Sequence, residues 1–217
     1  MLVAAGHGPY RRHHGTYAAL LSTAMGNDGV HGLLIDSLQR RMRTMHGLYY
    51  QAVGSMDLAH VNHFERPGVL PIAFSLFHYT NMEDACFMLI TGEAPILSDE
   101  WQARVQMAIA DHGKHRTVSE MENQRIGDYE AFQEYQRSVF ARTEEWLDRI
   151  DAGELTRVVV PRPFPPQVAS TYSARVAGPE GVTVLDALEC WLYQHGLRHM
   201  GEIELARGLV GLGGMTY

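Results

Sequence analysis

Four long stretches of the sequence carry apolar side chains at steps of three and four residues, the pattern of helices that bury one face. The stretches cover residues 30–53, 70–91, 126–150 and 183–211. Between the second and the third lies a polar crossover of about 35 residues, which allows those two helices to run parallel. The sequence therefore predicts an all-α fold, a four-helix bundle with a long crossover between helices 2 and 3.

The remaining segments fit around this bundle. Residues 1–28 are rich in Gly and His and lack a helical period, which predicts an N-terminal extension that is poorly structured or draped over the surface. Residues 29–217 are then a single domain of ordinary size. Four prolines within residues 161–166 exclude a regular internal strand there and favour an irregular excursion or an edge hairpin.

Composition narrows the possible partners. The 25 acidic and 18 basic side chains give a net charge of -7, which argues against a nucleic-acid partner because phosphates are neutralised by basic surfaces. No uncharged apolar run reaches the roughly 18 to 20 residues that cross a bilayer, so we expect no membrane partner. The start of the sequence lacks the apolar core of a signal peptide, and only Cys86 and Cys190 occur, which together predict a cytoplasmic protein. Both cysteines lie in apolar helical stretches and are expected to be small core residues rather than nucleophiles.

His195 and His199 are the first candidates for a functional site. Four residues apart on a helix, their side chains project from one face about 40° apart, which lets two imidazole nitrogens approach one metal ion. The same stripe contains Leu188 and Leu192, so both histidines should look into the interior. The alternative is a hydrogen-bonded pair of core histidines, or one histidine inside and one at the rim.

A divalent site needs a third protein ligand, for which His78 is the best candidate because it lies in the middle of the most apolar stretch. A lone histidine there could equally be a core residue with satisfied hydrogen bonds. His60 and His63 compete for the role but sit in a Pro- and Gly-containing loop. His46, near the end of the first helix, could face the same cavity.

Glu202, seven residues after His195, is a candidate acceptor for an imidazole N–H or a candidate catalytic base. The alternative is a solvated carboxylate near the helix end. Other chemistries lack their motifs. The sequence contains no HExxH, no Glu-x-x-His, no GxSxG and no P-loop, which disfavours a zincin protease, a di-iron carboxylate site, an α/β-hydrolase and a P-loop nucleotide site.

The segment HGLRHMGEIELARGL resembles the C-terminal signature of the DinB-like superfamily, H-x-x-x-H-x-G-[QE]-[IL]. The matching residues are His195, His199, Gly201, Glu202 and Ile203. The segment PIAFSLFHYTNMEDACFMLITG is similar to the second helix of that family, in which an apolar run leads to one histidine. His78, Glu83 and Asp84 fit this second pattern, and the likeness covers roughly residues 30–211.

The resemblance implies a four-helix bundle in which His78, His195 and His199 bind a divalent metal, usually zinc or nickel. Relatives include thiol transferases that use mycothiol, bacillithiol or glutathione, and a mycothiol-dependent maleylpyruvate isomerase. The expected function is thus transfer of a low-molecular-weight thiol to a small-molecule electrophile, in a protein that forms a homodimer. The alternatives are a stress-associated bundle that binds a metal or ligand without catalysis, or a metal-dependent hydrolase. Residues 1–28 and 161–166 depart from the family pattern and leave the substrate open.

Overall fold

The structure is a computed structural model that describes residues 14–215, with side chains from Gly29 onward. These residues are mostly helical, with 64% helix and 4% strand, which confirms the all-α class. The helices are α1 (His14–Gly54), α2 (Leu58–Val61), α3 (Ile72–Thr91), α4 (Asp99–Val105), α5 (Val118–Met121), α6 (Tyr129–Leu147), α7 (Pro166–Ala169), α8 (Tyr172–Val176), α9 (Val184–Ala187) and α10 (Gln194–Leu209). A 3-10 helix spans Ala152–Thr156, the strands are β1 (Val158–Pro161) and β2 (Gly181–Thr183), and a π-helical segment (Leu188–Tyr193) joins α9 to α10.

Helices α3 and α6 and the stretch from α9 to α10 begin and end close to the predicted positions because their caps are encoded locally. Pro71 precedes α3, and Gly92 ends it with a φ of 82°, a left-handed conformation that suits glycine. The side chain of Asp128 accepts a hydrogen bond from the backbone N–H of Ala131 and so starts α6. Thr183 caps α9 in the same way, where the sequence predicts it.

Helix α1 is much longer than the sequence predicts, since it begins at His14 rather than near Val30. The run TYAALL within it consists largely of good helix formers, and the glycines around it obscure the helical period. Residues 14–28, expected to belong to a poorly structured extension, are thus helical. Residues 1–13, which carry the rest of that prediction, lie outside the described residues.

The long helices pack so that α3 has α10 and α6 as neighbours, while α1 lies against α6 and α10. Helix α3 is buried along most of its length, as its apolar sequence predicts. The extensive contact between α3 and α10 brings two helices from distant parts of the sequence side by side. Among the described residues, no helix has both the length and the apolar character needed to cross a membrane.

The crossover between α3 and α6 carries α4 and α5 and folds back onto α3. Gly113 has a φ of 76°, and a Cβ at this position would meet the Phe74 ring at 2.7 Å. Only glycine therefore allows the crossover backbone to lie this close to α3. This contact fixes the position of the residues on either side of Gly113, His112 and Lys114.

The proline-rich segment forms an antiparallel two-stranded ribbon rather than an internal sheet strand. β1 pairs with β2, with Val160 opposite Val182 and Pro161 opposite Gly181. Between the strands, α7 and α8 form an irregular excursion that packs near the start of the last long helical stretch. Both predicted alternatives, the excursion and the hairpin, are present together.

Candidate metal centre

The structure brings together His78 from α3 and His195 and His199 from α10, which we call the three-histidine cluster. One ring nitrogen from each histidine lies within 4.8 Å of the corresponding atoms of the other two. The ring centroid of His78 is 5.3 Å from that of His195 and 4.7 Å from that of His199. The cluster could hold a metal ion.

Hydrogen bonds to the Nδ1 atoms of His78 and His199 orient these two imidazoles. The Nδ1–H of His78 donates to the backbone carbonyl of His112, which leaves Nε2 as its free nitrogen. The Nδ1–H of His199 donates to Glu202 Oε2 at 2.7 Å, and Ser75 Oγ donates to the same oxygen at 3.0 Å. The Nε2 atoms of His195 and His199 are 2.9 Å apart. Partners of this kind on the outer nitrogen fix the tautomer of metal-binding histidines.

The electrostatics of the cluster favour neutral imidazoles. Burial lowers the pKa of His78 to about 4, with a further contribution from the neighbouring His199. Burial also lowers the pKa of His195 to about 3, again with contributions from the other two histidines and from Arg198. Neutral imidazole is the form that binds metal, so both rings are ready to act as ligands at neutral pH.

Glu202 is held as a carboxylate. The hydrogen bond from His199 lowers its pKa, against the opposing effect of partial burial, and Ser75 adds a second hydrogen bond. Ser75 lies one helical turn before His78, so α3 supplies both a cluster histidine and a support for the carboxylate that orients another. Glu202 combines its two interpretations, since its carboxylate accepts the imidazole N–H of His199 while 55% of the side chain remains exposed to solvent.

The π-helical segment supplies a further support for the cluster. The backbone of Trp191, four residues before His195, opposes the lowering of the His195 pKa by burial and by the neighbouring charges. Trp191 belongs to Leu188–Tyr193, where the backbone departs from regular α-helix immediately before His195. Short π-helical segments occur frequently at functional sites, because they re-aim side chains without ending the helix.

A cavity of about 530 Å³ opens beside the cluster. Its wall includes the three histidines together with Met82, Leu89, Val160, Val168, Tyr172 and Trp191. This volume falls within the range of cavities that bind small molecules, roughly 300 to 1,000 Å³. The β1–β2 ribbon and the excursion thus contribute to the cavity wall, a role that their sequence does not indicate.

Both cysteines also line this cavity. Burial raises the pKa of Cys86 to about 12 and that of Cys190 to about 11. Each therefore stays a protonated thiol near neutral pH, which is a poor state for a nucleophile.

The other candidate histidines lie elsewhere. His60 belongs to the cap of α2, where its ring accepts the backbone N–H of Asp57, and His63 pairs with Glu65 at the surface. His46, expected to face the same cavity, is not part of the cavity wall. The tertiary packing of α1 points it at α3 and α6 instead.

His46 forms a second buried group with Glu83 and Glu144, which we call the ion-pair cluster. Its Nδ1 lies 2.7 Å from Glu144 Oε1, its Nε2 lies 3.2 Å from Glu83 Oε2, and its ring stacks on Phe140. Burial alone would lower the pKa of His46, but the two carboxylates outweigh this effect and raise it to about 9. The Tyr79 hydroxyl donates to Glu83 at 2.6 Å, while the Tyr79 ring lies 5.9 Å from that of His195.

Sequence reasoning missed the ion-pair cluster, the His112 carbonyl and the lining of the cavity. In the sequence, Glu83 is an acidic residue inside an apolar helix, and this pattern indicates a buried partner of opposite charge. The partner itself could not be identified, because His46 comes from a different helix.

Comparisons with known proteins give evidence on the fold alone. No family model matches the chain, and no curated protein matches it. The chain is similar to the crystal structure of a conserved protein from Enterococcus faecalis, with a TM-score of 0.64 and 17% sequence identity. The match covers 81% of this chain and 96% of that one. At this identity the likeness shows a shared fold.

Proposed function

We propose that this protein is a metal-dependent enzyme of the DinB-like superfamily that transfers a low-molecular-weight thiol to a small electrophile. The observation that carries the proposal is the three-histidine cluster, in which one ring nitrogen of each histidine lies within 4.8 Å of the other two, with a cavity of about 530 Å³ beside it. The proposal includes the four-helix bundle of that superfamily, built from α1, α3, α6 and the stretch from α9 to α10. The proposal also includes a homodimer, which rests on the resemblance, and a cytoplasmic location, which rests on the low cysteine content.

The donor set fits a divalent transition metal. Imidazole nitrogen is a good ligand for zinc and nickel, and three protein ligands leave coordination positions free, as in catalytic sites. When bound, such a cation lowers the pKa of a thiol or water that occupies a free position. Zinc and nickel are therefore the metals to test first.

The residues of the chain have separate tasks in this scheme. Glu202 and the His112 carbonyl hold the rings of His199 and His78 in the tautomer that presents Nε2. The apolar wall around Trp191 holds the body of the electrophile and excludes water from it. In the transfer itself, the thiol sulfur forms a bond to the electrophilic carbon, the leaving group departs with the electron pair of the broken bond, and the thiol proton passes to solvent.

The metal site is tested with two double variants that each remove two imidazoles. In His195→Ala/His199→Ala the cluster is broken, whereas His60→Ala/His63→Ala removes two histidines in and just after α2 that lie outside the cluster. After incubation with zinc or nickel and desalting, elemental analysis should show about one equivalent less metal in the first variant only. Equal metal content in the wild type and the first variant would contradict the site.

The reaction is tested with the metal-loaded protein, 1-chloro-2,4-dinitrobenzene as the electrophile, and glutathione, mycothiol or bacillithiol in turn. We expect thiol-dependent product formation that disappears in His195→Ala/His199→Ala and persists in His60→Ala/His63→Ala. Metal binding without any thiol-dependent turnover would overturn the transferase and support the binding protein. Hydrolysis of p-nitrophenyl acetate without added thiol, lost with the cluster, would instead support the hydrolase.

A further inference from the structure

The cavity beside the three-histidine cluster has an unusual charge for this protein. Its wall contains two cationic side chains, Lys114 and Arg198, and none of its described lining residues is acidic. The chain as a whole carries more acidic than basic residues, 25 against 18. Lys114 is the only lysine in the sequence, and it lies in this wall.

The same segments that build the cluster place the two cations. Arg198 is on α10 between His195 and His199. Lys114 follows Gly113, whose close contact with Phe74 fixes the crossover against α3. The two cations thus reach the cavity from two distant parts of the sequence, Lys114 from the crossover and Arg198 from α10.

Within residues 29–215, neither Lys114 nor Arg198 has a carboxylate partner. Arginines elsewhere in this range often do, for example Arg116 with Asp111 and Arg142 with Asp84. A positive charge without a protein partner beside an apolar wall attracts an anion from solution, and the fork of arginine matches carboxylate and phosphate groups.

We infer that the cavity binds a small organic anion, with its carboxylate or phosphate group on Lys114 and Arg198 and its apolar body against the wall around Trp191. This inference names the substrate class of the cavity and so rests on the proposed function. The volume of about 530 Å³ leaves room for an aromatic or branched acid.

The test uses metal-free protein and three ligands that share a phenyl ring, namely benzoate, the neutral benzamide of matching shape, and phenyl phosphate. Calorimetric titration should show benzoate or phenyl phosphate binding at least tenfold more tightly than benzamide, and the tighter of the two identifies the anionic group. Equal affinities for the charged ligands and benzamide would overturn the inference.

Charge-removing variants then assign the anion to its side chains. Arg198→Gln and Lys114→Gln should each weaken binding of the preferred anion about tenfold and leave benzamide binding unchanged, which also shows that the cavity is intact. Arg137→Gln, an exposed position on α6, is the matched control and should change neither. An unchanged anion affinity in both cavity variants would refute the assignment.

Because Lys114 is the only lysine, its acylation gives an independent readout. With acetic anhydride, mass spectrometry follows Lys114 against the N-terminal amine as an internal reference. The preferred anion should slow acylation of Lys114 relative to that amine, and benzamide should not. Equal rates with and without the anion would count against contact with Lys114. None of these measurements needs a bound metal or turnover. A failure of the transferase proposal can therefore be distinguished from a failure of this inference.

Discussion

The two buried histidine groups contain the same side chain in opposite states. In the three-histidine cluster, burial lowers the pKa of His78 to about 4, whereas in the ion-pair cluster the pKa of His46 is raised to about 9. Burial lowers both values, so it does not explain the difference. The neighbours do, because His78 faces other imidazoles and His46 faces Glu83 and Glu144.

The comparison teaches that partners, rather than depth, decide what a buried histidine can do. A protonated imidazole between two carboxylates has no lone pair for a metal and serves as a structural cation. A neutral imidazole whose Nδ1–H is engaged presents its other nitrogen as a ligand. Tyr79 lies between the two clusters, so one side chain joins the structural group to the candidate functional one.

The largest expected effect is the loss of folding stability caused by a substitution in the ion-pair cluster. His46→Ala should lower the free energy of unfolding by about 3 to 5 kcal/mol, because it leaves the Glu83 carboxylate buried without its partner. Denaturant titration measures this change. His63→Ala removes an imidazole from a surface pair with Glu65 and should change stability by less than about 1 kcal/mol. Similar losses in the two variants would break the distinction between structural and surface histidines.

The pH dependence of stability should follow from the raised pKa of His46. The folded state holds this proton up to about pH 9 and the unfolded state only to about 6.5, so the stabilisation is complete below pH 6.5 and is lost as the pH rises through 9. Between those values the free energy of unfolding should fall by up to about 1.4 kcal/mol per pH unit.

Urea titrations at a series of pH values in His46→Gln should show this slope reduced.

The corresponding experiment on the other cluster uses metal-free His78→Ala. Because the pKa of His78 is lowered, its contribution is present above pH 6.5 and is lost as the pH falls through about 4. This variant should therefore lose less stability than the wild type on acidification. If both variants altered the free energy of unfolding over the same pH range, the opposite pKa shifts assigned to His46 and His78 would be wrong.

A smaller effect is expected from the support of the metal ligands. Glu202→Gln keeps an acceptor for His199 but removes its charge, so zinc affinity should fall about 10- to 100-fold with little change in the apo fold. Competition with a chromophoric chelator measures the affinity. Glu204→Gln on the same helix is the control, because its carboxylate accepts the backbone N–H of Met215. An equal loss in both variants would show a general charge effect.

Two glycines of α10 give effects of opposite sign, and the smaller of the two is the smallest change expected within the helices. A Cβ at Gly196 would meet Met45 Sδ at 2.3 Å and the Tyr79 ring at 2.7 Å, so Gly196→Ala should destabilise the fold by about 1 to 3 kcal/mol and move Tyr79 between the clusters. At Gly201 a Cβ meets nothing within 4 Å, so Gly201→Ala should stabilise the helix by about 0.5 to 1 kcal/mol. Thermal melts of both variants give the comparison, and the same sign for both would contradict the packing.

The sequence predicts the parts of the site that obey helical spacing. His195, His199 and Glu202 follow from steps of three and four along one helix, and the apolar surroundings of His78 mark it as inward-facing. The caps at Gly92 and Thr183 predict where helices end and begin, because capping depends on local residues.

What the sequence does not predict depends on contacts between distant segments. The His112 carbonyl and Lys114 lie in a crossover without any period. The close approach of Gly113 to Phe74 places the carbonyl beside His78 and the lysine in the cavity wall. The pairing of His46 with Glu83 and Glu144 joins three helices, and no local pattern in any of them specifies it.

The position of the candidate metal site along the chain has a consequence for loading. Ser75 and Glu202, which are 127 positions apart, meet beside the cluster, so a cation held there would tie the two halves of the polypeptide together like a removable staple. Added zinc should therefore raise the melting temperature in proportion to the logarithm of its concentration, and the chelator EDTA should reverse the gain. The twelve histidines of the unfolded chain would compete for the ion and make the observed gain smaller than the site affinity alone implies.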